Sequence, residues 1–262
     1  VINQSVVPIT WIIVDDGSID NTSNVIQNAA VKHSWIQYLR KEKKDKRSPG
    51  KSVMETFYYG LNNSQVLDYD IIMKLDADLV LPKNYLLTVI DQFQQDSKIG
   101  MCGGVCVIDS GSDHVIEKET NLDHIRGAIK AYRKECFQDI NGLLKSMGWD
   151  TVDEHYSRFK GWKVVVLKDL HVLHQRSTHK EYGFIKASFR NGIMLYTIRM
   201  DLLLLCGNCI KKVFRYPYVI LAIAMFWGYM VAFFSREKRI VTKELGCFIR
   251  KYRYNQIFER LK

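Results

Sequence analysis

Short apolar segments alternate with amphipathic helical segments along the first third of this 262-residue chain. Segments 11–14, 35–39 and 71–75 have the length and composition of buried strands, and stretches with helical apolar spacing separate them. Strands and helices that alternate in this way form a largely parallel sheet with helices on its faces. The sequence therefore predicts an α/β fold, in which ligands bind at the carboxyl ends of the strands.

The segments that follow extend this pattern and then depart from it. The further elements predicted are helices at 86–93, 125–136 and 152–159 and strands at 99–108 and 163–167. Beyond these the chain becomes richer in apolar residues, and an amphipathic helix is predicted at 184–206. We predict two parts, an α/β domain over 1–180 that carries the candidate site and a helical region over 181–262.

Basic residues are concentrated in the last part of the chain. The formal net charge is +10, and residues 207–262 hold twelve Lys or Arg against three Glu. A basic surface attracts nucleic acid, anionic membranes or phosphorylated substrates. The six cysteines are scattered, which is typical of reduced thiols in the cytosol and not of a disulfide framework.

Segment 216–235 contains no charged residue, and Lys or Arg residues flank it on both sides. As a helix it would be about 30 Å long, close to the thickness of a bilayer core. It can span the membrane, lie in the interface beside 184–206, or pack onto a partner. We predict membrane association, because anionic headgroups attract the flanking cations. Nucleic acid is not a predicted partner, since no recognition motif accompanies the charge.

The motif Asp76-Ala77-Asp78 directly follows the predicted strand 71–75. Two carboxylates separated by one residue at a strand end can face one hard cation, and Mg²⁺ and Mn²⁺ prefer such oxygen ligands. Both ions also bridge to the phosphates of nucleotides. The alternative is that the two aspartates cap the next helix.

A second polar turn, Asp15-Asp16-Gly17-Ser18, ends the predicted strand 11–14. Its carboxylates can accept hydrogen bonds from the N–H groups of a base or from a ribose hydroxyl. An Asx turn followed by a helix cap explains the same residues equally well.

Three carboxylates, Asp150, Asp153 and Glu154, cluster at the predicted start of helix 152–159. One of them can act as a general base for an acceptor hydroxyl, whereas an acidic helix start is also favoured by the helix dipole alone. His171 and His174 follow the last predicted strand, and a neutral imidazole there can complete a metal shell or serve a structural role.

These pieces, in this order and at these distances, resemble the inverting family-two glycosyltransferases of the GT-A fold, which is Rossmann-like. Residues 12–22 resemble the family's nucleotide-binding signature and 74–78 its metal-binding motif. Residues 124–143 resemble the region before the acceptor site. Residues 148–154, with Gly161 beyond them, resemble the base-bearing helix of a bacterial subgroup.

The resemblance implies a role for each residue of the donor side. Asp16 would contact the base, with uracil as the first expectation, and Asp15 and Ser18 would support that pocket. Asp76 would touch the ribose or the diphosphate. Two further assignments are Lys51 near the donor and Asp78 as a ligand of Mg²⁺ or Mn²⁺, for which His174 is the candidate second ligand.

The catalytic base aligns best with Asp150, which precedes Gly161 by the family's usual interval, and Asp153 is the alternative. Processive members carry a Gln-x-x-Arg-Trp motif, whereas residues 175–178 read Gln-Arg-Ser-Thr here. The departure favours transfer of a single sugar over polymer synthesis. The family's opening strand and first helix also have no counterpart, and residues 1–5 resemble the end of that helix.

The resemblance and the apolar segment together predict the setting of the reaction. The expected enzyme takes a sugar from a UDP-sugar or a related donor to a lipid-linked saccharide, in cell-surface glycan synthesis. It would act at the cytoplasmic face of the bacterial inner membrane, either membrane-associated or with a single span. The alternative of another class is an inactive membrane scaffold that binds sugar nucleotides.

Overall fold

A computed structural model describes residues 1–42, 50–66, 68–109, 114–116, 123–175, 183–214, 216 and 218–259. The chain divides into two compact units, Val1–Gln175 and Arg176–Lys262. Residues 176–178, on which the expectation of non-processive transfer depends, lie outside the described residues.

The first unit contains eight strands and five helices in its described part. The strands are β1 (Trp11–Asp15), β2 (Ile36–Arg40), β3 (Ile71–Leu75), β4 (Leu79–Val80), β5 (Ile99–Asp109), β6 (His114–Ile116), β7 (Ile129–Arg133) and β8 (Lys163–His174). The helices are α1 (Thr22–Lys32), α2 (Lys51–Asn62), α3 (Tyr85–Gln95), α4 (Lys134–Asp139) and α5 (Trp149–Phe159).

The strands form a parallel pair, β1–β2, and a six-stranded sheet of order β3-β7-β5-β8-β4 with β6 beside β5. The prediction of parallel pairing is confirmed for β1–β2 and β5–β8. The other pairs are antiparallel, so the larger sheet is mixed. This arrangement brings the ends of β3 and β8 and the start of β7 to the region that holds the predicted site residues.

Tyr85 and Tyr132 are among the largest fully buried side chains of the core between this sheet and its helices. The Tyr85 hydroxyl accepts a hydrogen bond from the Gly104 amide on β5 at 3.2 Å. It lies 3.4 Å from the carbonyl of Ile129 on β7, to which it donates. Helix α3 is thereby fixed to two neighbouring strands beneath the site.

The prediction of a helix over 125–136 is wrong. Residues Ile129–Arg133 form β7, and only Lys134–Asp139 are helical. Strand β7 pairs with β3 over its whole length and with β5 on its other side. Residues 129–132 are all buried although Lys130 is among them, so the strand lacks the alternation of a half-buried strand, and periodicity alone does not distinguish it from a helix.

The second unit contains four helices in its described part: α6 (Phe184–Thr197), α7 (Leu202–Val213), α8 (Val219–Phe234) and α9 (Lys243–Glu259). The predicted single helix over 184–206 is therefore two helices. Arg199 has a positive φ of 64°, which ends the first helix. The Asp201 side chain then accepts the Leu204 amide at 3.0 Å and caps the second.

Helices α6 and α8 pack at very short distance through two glycines. A methyl group at Gly192 would lie 1.9 Å from the Met225 carbonyl oxygen. A methyl group at Gly228 would lie 2.0 Å from the Phe189 carbonyl oxygen. Since both clashes are with backbone, no side-chain movement relieves them.

Helix α8 covers most of the uncharged segment predicted from the sequence. It has 16 residues, whereas the uncharged segment has 20. A 16-residue helix is about 24 Å long and a bilayer core is about 30 Å thick. Across the part of the chain that the structure describes, no helix combines the length and the apolar character needed to cross a bilayer.

Candidate active site

The end of β3 is fixed to the loop that precedes β7. The Asp76 amide donates to the Ala128 carbonyl at 3.0 Å. Lys74, which is buried, donates from its Nζ to the Asp76 carboxylate and to the Gly127 carbonyl, the latter at 2.8 Å. Asp76 therefore has a fixed position, with a side chain that is 41% exposed.

Gly127 also contacts the start of α5 and so brings Asp150 to the same place. A methyl group at Gly127 would lie 2.9 Å from Trp149 Cζ2 and 3.1 Å from Asp150 Cβ. Only glycine fits this position without displacing one of the two neighbours. Asp76 and Asp150, far apart in the sequence, are thus both connected to residues 127–128, Asp76 through Lys74 and the Ala128 carbonyl and Asp150 through packing against Gly127.

Asp78 and His174 meet where β4 pairs with β8. The Gln175 amide donates to the Asp78 carbonyl at 2.9 Å, and His174 Nε2 lies 3.5 Å from Asp78 Oδ1. The His174 side chain is buried, whereas the Asp78 side chain is 31% exposed. An exposed carboxylate with an imidazole behind it is a suitable pair of ligands for Mn²⁺ or Mg²⁺.

Within the described residues no three His, Cys, Asp or Glu side chains are grouped to hold a metal ion. Mg²⁺ in nucleotide-binding sites is commonly held by one or two carboxylates, with phosphates and water completing the shell. The pair Asp78 and His174 fits that kind of site and does not fit an all-protein cage.

The turn after β1 is organised by Asp15, which is buried. Its carboxylate accepts from the Ser18 amide at 2.7 Å, from Ser23 Oγ at 2.7 Å and from the Tyr38 hydroxyl at 3.2 Å. Burial alone would raise the pKa of Asp15, but these hydrogen bonds outweigh it and lower the pKa to about 2. Asp15 and Ser18 thus shape the turn, and Asp15 is ionised throughout the physiological range.

Asp16, the next residue, is partly exposed and pairs with Lys41 at 3.0 Å. Lys41 also donates to Thr56 on α2 at 3.0 Å, which ties the turn to that helix. At the start of the same helix, Lys51 is 59% exposed and lies 4.0 Å from Glu55. Such a loose pair leaves the Lys51 ammonium accessible to an anionic ligand.

Helix α2 connects the turn after β1 to the start of α5. Gly50 precedes the helix with a positive φ of 74°, and a methyl group there would lie 2.8 Å from Met147 Cα. Lys51 is therefore placed beside the segment that leads to Asp150. The predicted donor residues and the predicted base are linked by direct contacts through this helix.

Asp153, the alternative base, has a different environment from Asp150. It is buried, its carboxylate lies 2.9 Å from Lys130 Nζ, and it accepts from the Tyr132 hydroxyl. Burial raises the pKa of Asp153 to about 6, although Lys130 acts in the opposite direction. Asp153 is thus the buried partner of Lys130, whereas the side chain of Asp150 is more exposed.

Asp150, the first candidate for the base, is more exposed than Asp153. Its side chain is 34% exposed and lies in the first turn of α5, where the helix dipole favours a negative charge. Burial acts to raise the pKa of Asp150, but His124 and then Lys130 outweigh it, so the pKa lies below the usual value. Asp150 is therefore ionised at neutral pH and ready to accept a proton.

Two lysines that sequence reasoning did not assign lie behind these carboxylates. Lys74 and Lys130 are paired across β3 and β7, with their Nζ atoms 5.5 and 5.8 Å from the centre of the Trp149 ring. Lys130 is fully buried and also lies 3.1 Å from Glu154. The available signal was a lysine inside each of two otherwise apolar strands, since a buried lysine requires an anionic partner.

Comparisons with known proteins bear on the family and the fold of the chain. The sequence profile described as Glycosyl transferase family 2 matches residues 1–145, more than half of the chain. A search of curated proteins finds no relative with significant sequence similarity.

Several solved structures have a similar fold. One is the mannosyltransferase PcManGT from Pyrobaculum calidifontis in complex with GDP-Man and Mn²⁺ (TM-score 0.52, 13% identity, 98% of this chain and 74% of that chain covered). A second is GalNAc-T7 with UDP, GalNAc and Mn²⁺ (TM-score 0.50, 12% identity, 67% of this chain and 39% of that chain covered). A third is S. aureus TarS 1-349 (TM-score 0.51, 12% identity, 76% of this chain and 60% of that chain covered).

The present chain spans less than two thirds of the last two proteins. At these identities the likeness shows the fold, and the sequence profile independently shows the family. The chain therefore belongs to glycosyl transferase family 2 and has the GT-A fold.

Proposed function

We propose that the protein transfers a single sugar from a nucleotide-diphosphate sugar to an acceptor hydroxyl, with inversion at the anomeric carbon. The observation that supports this most directly is that residues 127–128 connect to both aspartates: Lys74 and the Ala128 carbonyl link them to Asp76, and Gly127 packs against Asp150. The proposed donor-binding carboxylate, Asp76, and the proposed base, Asp150, are both partly exposed. A reaction in which the acceptor displaces the leaving group in one step requires both groups in the same site.

On the donor side, Asp78 and His174 would hold Mn²⁺ or Mg²⁺. When bound, that ion supplies stabilisation of the negative charge on the departing diphosphate. Asp76 would bind the ribose or the diphosphate. We propose a UDP-sugar as the donor, with Asp16 at the base, Asp15 and Ser18 shaping that pocket, and Lys51 beside the phosphates.

On the acceptor side, Asp150 would remove the proton of the attacking hydroxyl. The acceptor oxygen forms a bond to the anomeric carbon as the bond from that carbon to the diphosphate oxygen breaks. The proton passes to Asp150, and the bonding electrons leave with the nucleoside diphosphate. Attack from the side opposite the leaving group inverts the configuration.

The test is a panel of UDP-, GDP- and dTDP-sugars incubated with the full chain and Mn²⁺. Released nucleoside diphosphate and transferred sugar are both measured, and product stereochemistry is read by NMR. A β-linked product from an α-linked donor supports the proposal. Donor binding without turnover across the panel would instead favour a binding scaffold, and retention would exclude the single displacement.

Replacing Asp78 by Asn is expected to raise the Mn²⁺ concentration for half-maximal activity. Loss of an outer-shell partner already weakens metal sites by roughly 10- to 100-fold, and loss of a direct ligand should cost at least as much. The matched control is Asp169→Asn, an exposed carboxylate on β8. An unchanged Mn²⁺ requirement in the Asp78 variant would remove this residue from the metal site.

The second unit supports a proposal about where the reaction takes place. Helix α8 buries one face, including Met225 and Tyr229, and exposes large apolar side chains on another. Ile223 is 63% exposed and Trp227 is 62% exposed. Contiguous apolar exposure of this kind on a monomer marks an interaction surface.

A groove of about 910 Å³ lies between the start of α6 and α8 on this surface. Phe184, Phe189, Ile220 and Trp227 are among its lining residues, and Lys186 stands at its edge. Exposed Lys211 near the end of α7 adds positive charge. Apolar side chains with basic neighbours are the composition of a helix that lies in a membrane interface.

We propose that this unit binds the anionic surface of a bilayer and that the acceptor is a lipid-linked saccharide. The location consistent with nucleotide-sugar donors and unpaired cysteines is the cytoplasmic face of a bacterial inner membrane. We propose that the unit lies on the surface of the membrane, because the 16-residue helix α8 is shorter than a bilayer core is thick.

Vesicle binding tests the membrane proposal. The double substitution Ile223→Ser with Trp227→Ser should weaken binding to phosphatidylglycerol vesicles by more than roughly tenfold, because each side chain contributes about 1.5–3 kcal/mol on burial. The control is Val31→Ser, which alters an exposed apolar residue of α1. Equal binding by the wild type and the double variant would overturn the assigned surface.

A further inference from the structure

Beside Asp150 lies a histidine to which neither the sequence motifs nor the proposed mechanism gives a role. His124 belongs to the segment that leads into β7, and its side chain is 22% exposed. We infer that His124 is a positioning residue, held by Glu154, that orients the Asp150 carboxylate through its charged imidazolium form. This inference rests on the proposed function only in naming Asp150 as the base.

One ring nitrogen of His124 makes a short contact with Glu154. His124 Nδ1 lies 3.0 Å from Glu154 Oε1. The same oxygen accepts from the Ile125 amide at 2.8 Å, and Arg158 lies 3.2 Å from the other carboxylate oxygen. Glu154 is buried and is constrained by these neighbours and by Lys130, which lies 3.1 Å from the same Oε1 atom, so it fixes the orientation of the imidazole ring.

The other ring nitrogen of His124 faces Asp150, the proposed base. His124 Nε2 lies 3.8 Å from Asp150 Oδ2, which is within ion-pair distance. Each ring nitrogen thus faces a carboxylate, and ionised carboxylates only accept hydrogen bonds. A neutral ring can donate its one N–H to Glu154 but offers Asp150 no charge, whereas the imidazolium donates to Glu154 and also forms an ion pair with Asp150.

The charges around the ring agree with this assignment. Burial would lower the pKa of His124, but Asp150 and Glu154 outweigh it and raise the pKa above the usual value. The charged groups facing this part of the site from the adjoining elements are Asp150, Asp153, Glu154 and Arg158 on α5, Lys130 on β7 and Lys74 on β3. The neighbouring Asp123 and Arg126 belong to the same segment as His124.

The arrangement gives the site a defined pH dependence. Below the pKa of His124 the imidazolium is present and holds Asp150. As the pH rises through that pKa the charge is lost, and with it the orientation of the base. The alkaline limb of the activity profile therefore belongs to His124, and the acid limb belongs to protonation of Asp150.

The pairing is tested first without substrate. In the full chain labelled with ¹³C at histidine Cε1, the His124 signal is assigned by its loss in His124→Gln. Its titration midpoint should lie above the ordinary value of about 6.5. In Asp150→Asn the midpoint should fall, because a negative neighbour has been removed. A midpoint that does not respond to Asp150→Asn overturns the pairing.

Kinetics then test the role. The amide of Gln can donate to Asp150 but does not titrate near neutral pH, so His124→Gln should flatten the alkaline limb. We expect kcat to fall roughly tenfold, because the Gln side chain lacks the positive charge that pairs with the Asp150 carboxylate. The donor KM should remain within about twofold, since ground-state binding is untouched.

The control is His33→Gln, which changes a histidine that packs against Trp35 next to α1. An alkaline limb that persists in His124→Gln, or an equal loss in the control, overturns the positioning role. The two proposals fail separately. Absence of turnover by the wild type would overturn the proposed function, whereas the titration tests the pairing in the same protein without any donor.

Discussion

Replacing Asp150 by Asn is expected to lower kcat for sugar transfer by roughly 100- to 10,000-fold, which is the usual contribution of a general base. The amide occupies the same space beside Gly127 but has no basic oxygen to accept the proton of the acceptor hydroxyl. Donor binding should be retained, because Asp76, Asp78 and the turn after β1 are unchanged. The measurements are initial rates with the active donor and calorimetric titration with the corresponding nucleoside diphosphate and Mn²⁺.

The matched control is Asp91→Asn on α3, which changes an aspartate outside the site and should leave kcat unaltered. Hydrolysis of the donor by water is a second readout, since it shares the metal site but not the acceptor. If Asp150→Asn transfers sugar at the wild-type rate, Asp150 is not the base. If both kcat and diphosphate affinity collapse together, the residue serves the fold instead.

Replacing Lys130 by Met is expected to destabilise the protein by about 3–5 kcal/mol, the usual result of removing one partner of a buried ion pair. Lys130 is fully buried between Asp153 and Glu154, and Met fills much of the same volume without charge. The carboxylate of Asp153 is then left without its cation. Chemical denaturation of the full chain, followed by the tryptophan signal, measures the loss.

The size of this loss should depend on pH. Burial raises the pKa of Asp153 to about 6, so its carboxyl is largely neutral at pH 5 and the missing cation matters less there. Removing Lys130 raises the pKa of Asp153 further, because the lysine acts to lower it. Above pH 6 the variant must therefore take up a proton on Asp153 or bury an unpaired carboxylate, and the destabilisation should be larger at pH 8. The control is Lys134→Met, which breaks an exposed pair with Asp68 and should cost about 0–1 kcal/mol. A loss below that of the control would refute the role of the buried cluster.

Local sequence patterns were sufficient to predict the parts of the site that depend on one strand end. Asp76 and Asp78 follow β3, and Asp15 and Asp16 lie at the end of β1, as expected. A strand that runs into a polar turn is encoded by neighbouring residues. The position of Asp150 at the start of a helix is local in the same sense.

Features that arise from pairing between distant segments were not predictable in this way. Strand β7 was taken for a helix because the edges of β3 and β5 that stabilise it lie elsewhere in the chain. Lys130 and His124 have partners on α5, and no spacing in the sequence indicates those contacts. The break at Arg199 was missed because an arginine carries no signal for positive φ.

The Gly127 peptide has a consequence for engineering. Its carbonyl holds Lys74 and thereby Asp76, while its Cα lies against Asp150. A mutation that moves this peptide shifts Asp76 and Asp150 together, so the proposed donor-binding carboxylate and the proposed base do not vary independently there. Libraries designed to change acceptor preference should keep residues 123–128 fixed and draw their diversity from other segments.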